Sequence, residues 1–592
     1  MRKKRFLDFG EASEWKDRLL PNFNPDIKEF DKNPWTTTFF LILTLVSFFL
    51  IFLRLTSLQI VKGSLNRELA DGNRVQIKII HAPRGVIFDR NNKILAANSP
   101  AFRLFDKEIN KSKLITREEA LKLEVKDDPA SPDLEVDNVR TYPYGEKLAH
   151  VVGFVGEISP DQLKEGQFAG YLAGDRIGQS GAEAQYESTL KGKDGGEIIE
   201  TDSKNNKLRI LRQVVPVPGK NIYLTIDAAL QEKVYAEMQN ALIKSGSCCG
   251  AAIAMDPGNG QILSLVSIPS FDPNVFTKYR DEGAISELFQ RSDFPILNRA
   301  IAGTYPPGST FKIISGIAAI TSNKVTPQTE FLDTGEIYLG AFRFSNWYFN
   351  QYGKTEGSVN LVKALKRSTD TYFYQVAQIL GLDPLISWAR KLHLGEKTGI
   401  DIPGEGMGLV PDGTWKLKNI GEIWYPGDTL HLSIGQGFIL TTPLQILSLT
   451  SFVANNGILY KPKLLQSKKE LVLSDIVSKE QLKSIRQGLS EVPKAGGTAW
   501  PFFTFPIQTA GKTGTAEYGD PKNRTHAWYT AYAPADDPKI AMTVLIEGGG
   551  EGSSVAAPVV KETFRWFFSP DKNKLIQDIY IPATESGRTL GE

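Results

Sequence analysis

From Asn33 to Leu53 the chain carries no charged residue, and the later part of this run reads FFLILTLVSFFLIFL. Roughly 20 apolar residues are what a helix needs to cross the hydrocarbon core of a bilayer. A span of this kind divides the 592-residue chain into parts that fold on opposite sides of a membrane. It exceeds a typical signal-peptide core, and no A-x-A cleavage site follows it closely, so an uncleaved anchor is expected over residues 33–54, with a cleaved signal peptide as the alternative. Arg2, Lys3, Lys4 and Arg5 place residues 1–32 as a cytoplasmic tail under the positive-inside rule. Trp35 and Arg54 flank the run as interfacial anchors. The expectation is a single-pass protein of the cytoplasmic (inner) membrane, with everything after Arg54 periplasmic or extracytoplasmic.

The remaining length suggests roughly two to four domains in all. Lys and Arg total 69 against 67 Asp and Glu, a net charge of +2. That balance gives no reason to expect nucleic acid as a partner. Cys248 and Cys249 are adjacent, and neighbouring residues rarely meet disulfide geometry, so no disulfide framework is expected. Five scattered histidines without a C-x-x-C pair give no zinc signature. No metal and no cofactor are expected.

Pro216-Val217-Pro218-Gly219 is the strongest punctuation after the anchor. It separates a β-rich, non-catalytic region, 55–215, from a second region, 216–568, with a loosely held tail at 569–592. In the first region Val75–Ile80 reads as a strand, and 107–139 as a charged, helical or irregular lobe. In the second, Asn221–Asp227 reads as a strand ending at an N-cap aspartate, followed by an amphipathic helix over Ala228–Lys244. Ala251–Met255 and Gln261–Val266 flank Asp256-Pro257-Gly258-Asn259-Gly260 as a hairpin. Ile540–Ile546 is a further strand. The pattern predicts an α+β fold, one sheet covered by helices.

Three motifs follow in order along the second region: Ser309-Thr310-Phe311-Lys312, Ser368-Thr369-Asp370 and Lys512-Thr513-Gly514. S-x-x-K, an S-D-N variant and K-T-G together mark serine enzymes that acylate without a catalytic histidine. S-x-x-K alone is weak, since it recurs here at Ser13, Ser188 and Ser569. Pro306-Pro307-Gly308 should break into a helix from Ser309 onward, setting Lys312 one turn on, on the same face. Serine needs a neighbouring base. A desolvated lysine near other cations has a lowered pKa and can be that base. Ser368 is placed to relay a proton to the leaving amine. Asp370 is placed to orient the base or support substrate, although Ser and Asp are also ordinary helix N-caps.

Two K-T-G triplets compete. Lys397-Thr398-Gly399 leads into a Gly- and Pro-rich loop, whereas Lys512-Thr513-Gly514-Thr515 follows a β-like run. Glycine in a strand lets a ligand approach the backbone, and a strand edge can pair with an extended peptide. The second triplet is therefore preferred. Lys512 joins the catalytic set as a cation for a terminal carboxylate, with Thr513, Gly514 and Thr515 binding substrate. The Ser309 and Thr515 N–H groups are expected to form the oxyanion hole.

With these motifs placed, the chain resembles the class B penicillin-binding proteins. Arg84-Gly85-Val86-Ile87-Phe88-Asp89-Arg90 is similar to the family's R-G-x-I-x-D-R motif. Gly178-Gln179-Ser180-Gly181-Ala182-Glu183, with Leu190-Lys191-Gly192 and Gly195, resembles its second pedestal segment. Tyr305–Thr310, Ser433-Ile434-Gly435-Gln436-Gly437, His526-Ala527-Trp528-Tyr529 and Asp370, where division-type members usually have Asn, are similar to the elongation type. The resemblance implies a peptidoglycan D,D-transpeptidase acting on stem peptides ending in D-Ala-D-Ala and acylated by β-lactam antibiotics. It implies an antiparallel sheet with helices on both sides, a helical lobe and a dimerisation-like pedestal. Residues 55–215 carry no glycosyltransferase motif, so the resemblance also implies a partner polymerase, a rod-shape SEDS-family glycosyltransferase, and elongation-complex proteins.

A membrane-anchored D,D-carboxypeptidase or serine β-lactamase would use the same nucleophile with an activated water, but the sequence shows no clear dedicated deacylation glutamate. A β-lactam sensor or scaffold is the non-enzyme alternative. The intact motifs and the short cytoplasmic tail argue against it.

Overall fold

The structure, a computed structural model, describes residues 34–64, 75–106, 111–115, 117–125, 134–202, 207–277 and 281–570. The expected tail 1–32 and residues 571–592 of the expected C-terminal tail lie outside the described residues. The chain divides into two compact units, Met1–Ile79 with Gly196–Val214, and Ile80–Gly195 with Val215–Glu592.

In the first unit the uncharged run forms a helix, Pro34–Thr56, continued by a single π turn, Ser57–Val61. Proline at its first position costs no hydrogen bond, because that N–H has no intrahelical partner. The stretch Thr37–Val61 is long and apolar enough to cross a membrane. Its Phe, Leu and Ile side chains are exposed on all sides, as a lipid-facing helix requires. Thr44, Ser47 and Thr56 return their hydroxyls to carbonyls four residues earlier, at 2.7, 2.8 and 2.8 Å. No polar group on those side chains is then left to the lipid. The expected strand Val75–Ile80 is present, beside strands Gly195–Thr201 and Lys207–Val214.

The second unit joins residues 80–195 to everything after 215, so the compact division does not fall at the Pro216–Gly219 cluster. That cluster is instead tied back. Val217 and Lys193 exchange backbone hydrogen bonds at 2.8 Å, and Gly219 N donates to the Pro83 carbonyl at 2.9 Å. Ile222–Tyr223 pairs parallel with Ile87–Phe88 of the first pedestal motif. The strand expected through Asp227 ends there, because Thr225 N turns to the Leu464 carbonyl. The motif's aspartate explains itself physically. Asp89 is fully buried, takes the Asn91 and Lys93 amides at 2.7 Å, and takes Ala228 N at 3.1 Å. It thereby caps helix α1 (Ala228–Ser245) together with Asp227, which accepts from Ala229 and Leu230. The stretch expected to be a helical or irregular lobe, 107–139, contains strands at Lys111–Ile115 and Leu134–Thr141 and a helix at Arg117–Val125. Both strands pair with Ile94–Asp106. Their charged sequences hide a β ladder, local for Lys111–Ile115 and with a more distant partner for Leu134–Thr141. The rest of 107–139 lies outside the described residues.

The main sheet has five antiparallel strands: β1 (Gly250–Asp256), β2 (Gln261–Ile268), β3 (Ala510–Glu517), β4 (Thr525–Ala533) and β5 (Ile540–Ile546). Their order is β2-β1-β5-β4-β3, which leaves one edge of β3 unpaired. The inner strands β1 and β5 are largely apolar on both faces because both are covered. Ala252 and Ala254 face Leu230, Val234 and Phe564. Ala251 and Ile253 belong to the opposite core with Leu444 and Leu447. Cys248 and Cys249, for which no disulfide was expected, are joined to each other at the start of β1. A bond between neighbours closes no long loop and staples no distant elements.

Candidate functional site

The nucleophile segment begins as a fixed turn. Tyr305 exchanges backbone hydrogen bonds with Thr441, and its hydroxyl donates to Glu547 at 2.6 Å. Trp528 Nε1 holds the Pro306 carbonyl at 3.0 Å, and Gly308 N donates to the Gly435 carbonyl at 2.9 Å. These contacts give Trp528 of the His526–Tyr529 segment and Gly435 of the Ser433–Gly437 segment a common role: both clamp the turn. Gly514 allows the turn to lie against β3. A Cβ there would meet Trp528, Thr310 and the Pro307 carbonyl at 3.0–3.2 Å.

The helix expected from Ser309 starts as a 3₁₀ turn, Gly308–Phe311, before helix α2 (Lys312–Thr321). Residues three apart eclipse in a 3₁₀ turn, so Lys312 still follows Ser309 on one side. Ser309 lines the open cleft, whereas Lys312 is fully buried at the helix start. Lys312 Nζ is turned toward the second motif. It donates to the Ser368 carbonyl at 2.7 Å, to Ser368 Oγ at 3.2 Å and to Asp370 Oδ1 at 2.6 Å. Lys512 Nζ donates to the same Ser368 Oγ at 2.8 Å and to the Thr513 carbonyl at 3.0 Å. Ser368 thus bridges two buried lysines. It does so from a left-handed backbone conformation, φ 58°, at the end of helix Leu361–Arg367, a strained position for a residue with a side chain.

Asp370 opens helix α3 (Asp370–Leu380) and stands between the lysine pair and the wall of the cleft, since its Oδ2 accepts Trp347 N at 3.0 Å. Burial pushes the Lys312 pKa down, and Asp370 only partly restores it. Lys512 is pushed down well below its ordinary value, by burial first and then by the Lys312 charge. Two ammonium groups sharing one carboxylate in a dry site cannot both hold their protons easily. That is the electrostatic condition for a neutral amine beside a serine.

The four motif residues Lys312, Ser368, Asp370 and Lys512 therefore form one hydrogen-bonded cluster. Ser309, Asp370, Thr513 and Thr515 line a single cleft of about 740 Å³. Thr513 Oγ1 lies 2.7 Å from Thr498 Oγ1. The other triplet is spent on a turn. Thr398 N, Thr398 Oγ1 and Gly399 N all bond the buried Glu405 carboxylate, at 2.6–2.9 Å. Sequence reasoning passed over the rest of the cleft wall, including Trp347, Tyr374, His431 and Glu517. Nothing local in the sequence marks them. Only the spacing of Thr513, Thr515 and Glu517 along one strand could have found the last.

Among the described residues, the one group of side chains placed to hold a metal is already committed. The two cysteine sulfurs and a Glu547 carboxylate oxygen lie within 4.8 Å of one another. The sulfurs, however, are bonded together, and the carboxylate accepts from Arg299 at 2.8 Å as well as from Tyr305.

The cleft thus sits where an S-x-x-K turn lies on the edge strand of a helix-covered antiparallel sheet. The chain belongs to the penicillin-binding protein family. Residues 250–565 match the penicillin-binding protein transpeptidase domain, and residues 105–224 the penicillin-binding protein dimerisation domain. It is 33% identical to the peptidoglycan D,D-transpeptidase MrdA of Haemophilus influenzae, covering 88% of this chain and 89% of the relative. It is 31% identical to MrdA of Escherichia coli K12, covering 85% and 89%. Among solved structures it is similar to the Helicobacter pylori PBP2 in complex with MreC, with TM-score 0.73 and 30% identity over 83% of this chain and 98% of that one. It is also similar to Pseudomonas aeruginosa PBP2 in complex with WCK 5153, with TM-score 0.67 and 33% identity over 84% and 97%.

Proposed function

We propose that this protein is a membrane-anchored peptidoglycan D,D-transpeptidase of the elongation type, cross-linking stem peptides through an acyl-enzyme on Ser309. The observation that carries the reading is the pair of buried lysines joined through Ser368 Oγ at the edge of β3. A peptide ending in D-Ala-D-Ala pairs with the open edge of that strand. Its terminal carboxylate meets Lys512, Thr513 and Thr515, on a strand that Gly514 lets lie against the nucleophile turn. Lys312, neutral in its buried site, takes the Ser309 proton as the hydroxyl oxygen attacks the penultimate carbonyl. The Ser309 and Thr515 amides receive the oxyanion. Ser368 passes the proton to the departing D-alanine amine, and the tetrahedral intermediate collapses to the ester. An acceptor amine then repeats the sequence in reverse and restores Ser309. A β-lactam enters by the same first step.

In this reading residues 33–54 anchor the protein with its N-terminus inside. Residues 55–215 form the non-catalytic pedestal, 216–568 the transpeptidase domain, and 569–592 a tail. Glycan polymerisation comes from a SEDS-family partner within an elongation complex. The solved PBP2 relative bound to MreC is consistent with such assembly. Labelling with a fluorescent penicillin, followed by mass spectrometry of the modified peptide, tests the assignment. Ser309→Ala is expected to abolish labelling in a folded, membrane-inserted protein. Label retained on that variant, or mapped to Ser188, overturns it.

A further inference from the structure

The free edge of β3 has a direction, and its charges change along it. Thr513, Thr515 and Glu517 alternate onto the cleft side of the strand. Two residues span about 7 Å of strand, so the Glu517 carboxylate lies that far beyond Thr515. A peptide pairing antiparallel, with its terminal carboxylate at Lys512 to Thr515, runs toward Glu517 as it is followed back toward its own N-terminus. The residue before D-Ala-D-Ala therefore arrives beside Glu517.

The other charged groups lining the cleft are already matched. Arg343 pairs with Glu336 at 3.1 Å, and Arg367 with Glu356 at 2.8 Å. Glu551 accepts from Gln351 at 3.0 Å. The Glu517 carboxylate is exposed and has neither a hydrogen bond nor an ion pair among the described residues. Its charge nevertheless reaches across the cleft. It contributes, after burial and Asp370, to raising Tyr374, and, after burial and Asp428, it opposes the lowering of His431. Neither facing group supplies a fixed positive charge.

We infer that Glu517 is a specificity residue of the transpeptidase cleft, selecting donor peptides whose residue before D-Ala-D-Ala carries a cationic amine. The inference rests on the D,D-transpeptidase reading. It needs no contact beyond a strand register and one unmatched carboxylate at the open end of the site. An exposed charge pair is worth only a few-fold in binding, so the preference is modest.

The test uses the full-length protein in detergent and two synthetic peptides ending in X-D-Ala-D-Ala, with X a lysine bearing either a free or an acetylated side-chain amine. The readout is protection of Ser309 from a fluorescent penicillin. The free amine is expected to protect about three- to fivefold better, the size of one exposed ion pair. Glu517→Gln should reduce that ratio to nearly one. Glu517→Lys should reverse it and favour a third peptide with a carboxylate on X. Equal protection by the two peptides in the parent protein, or a ratio that survives Glu517→Gln in a variant of matched thermal unfolding, overturns the inference while leaving labelling and the transpeptidase reading intact. A Glu517→Gln variant that instead prolongs the penicilloyl-enzyme would make Glu517 a water-activating group and equally overturn it. No protection by either peptide, with labelling intact, overturns the D-Ala-D-Ala reading itself and this inference with it.

Discussion

Two of the buried charge clusters in the second unit are built to opposite ends. In the pedestal part, Arg84 Nε donates to Glu183 Oε2, Arg84 Nη2 to Glu187 Oε2 and Arg140 Nε to Glu183 Oε1, each at 2.6 Å. Two cations meet two anions. Burial opposes the Arg84 charge, but Glu183 and Glu187 more than compensate and its pKa rises. Burial likewise pushes Glu183 up, and the two guanidiniums overcome it and hold the carboxyl below its ordinary range. The Arg84 and Glu183 charges are both held on. In the cleft, Lys312 and Lys512 share Asp370 alone, and both lysines are driven down. The balanced cluster fixes structure, and the unbalanced one leaves a proton loosely held. Charge count, more than burial, separates a joint from a reactive site.

The largest expected effect lies in the joint. Removing one partner from a buried, paired cluster costs about 3–5 kcal/mol, because the remaining charge is stranded. Glu183→Gln should lower thermal stability by that order, while the surviving folded protein is still acylated by penicillin within about threefold of the parent rate. A stable Glu183→Gln protein with slow acylation would break the comparison, since the pedestal cluster would then be part of the reaction.

Much of this was legible in the sequence, and what was not has a common cause. Ile540–Ile546 and Val75–Ile80 are strands with the bounds expected, because a short apolar run and a β-branched alternation both have few other folds. The cap at Asp227 was equally local. The Arg84–Glu183–Arg140 cluster was not, since its members lie 99 and 43 residues apart. The strand Leu134–Thr141 reads as a charged segment until Ile94–Asp106 is placed beside it. In the cleft, the three motifs were legible as chemistry, but not the direction of the Lys312 amine. It points to Ser368 and Asp370, contacts 56 and 58 residues away. Local periodicity fixes elements, whereas pairing across the fold fixes charge.

The second expected effect reverses the sign of the first. Lys512 is a buried cation in surplus, so replacing it with an apolar side chain of similar length relieves the fold. Lys512→Met should therefore leave thermal stability unchanged or raised. Acylation should nevertheless slow about ten- to a hundredfold, the loss of one charged hydrogen bond of roughly 1.5–3 kcal/mol. Lys397→Ala, beside the loop that Glu405 closes, should change acylation by less than about threefold. A Lys512→Met protein that loses stability would show that the lysine pair is structurally matched after all.

The smallest effect concerns the carboxylate that bonds Lys312 of the lysine pair. Asp370 Oδ1 accepts a hydrogen bond from Lys312 Nζ at 2.6 Å and works against the lowering caused by burial. Converting it to Asn keeps the shape and the Trp347 contact but removes the charge. The lysine then holds its proton less tightly, so the neutral base persists to lower pH. Acylation rises with pH as the base deprotonates. In Asp370→Asn the acid limb of the acylation rate should therefore move to lower pH, by about one unit for a charge effect near 1.4 kcal/mol. The sign is the decisive point. A limb that moved to higher pH would mean that Asp370 had been helping to deprotonate the base, and an unmoved limb would mean that Lys312 is not the titrating group.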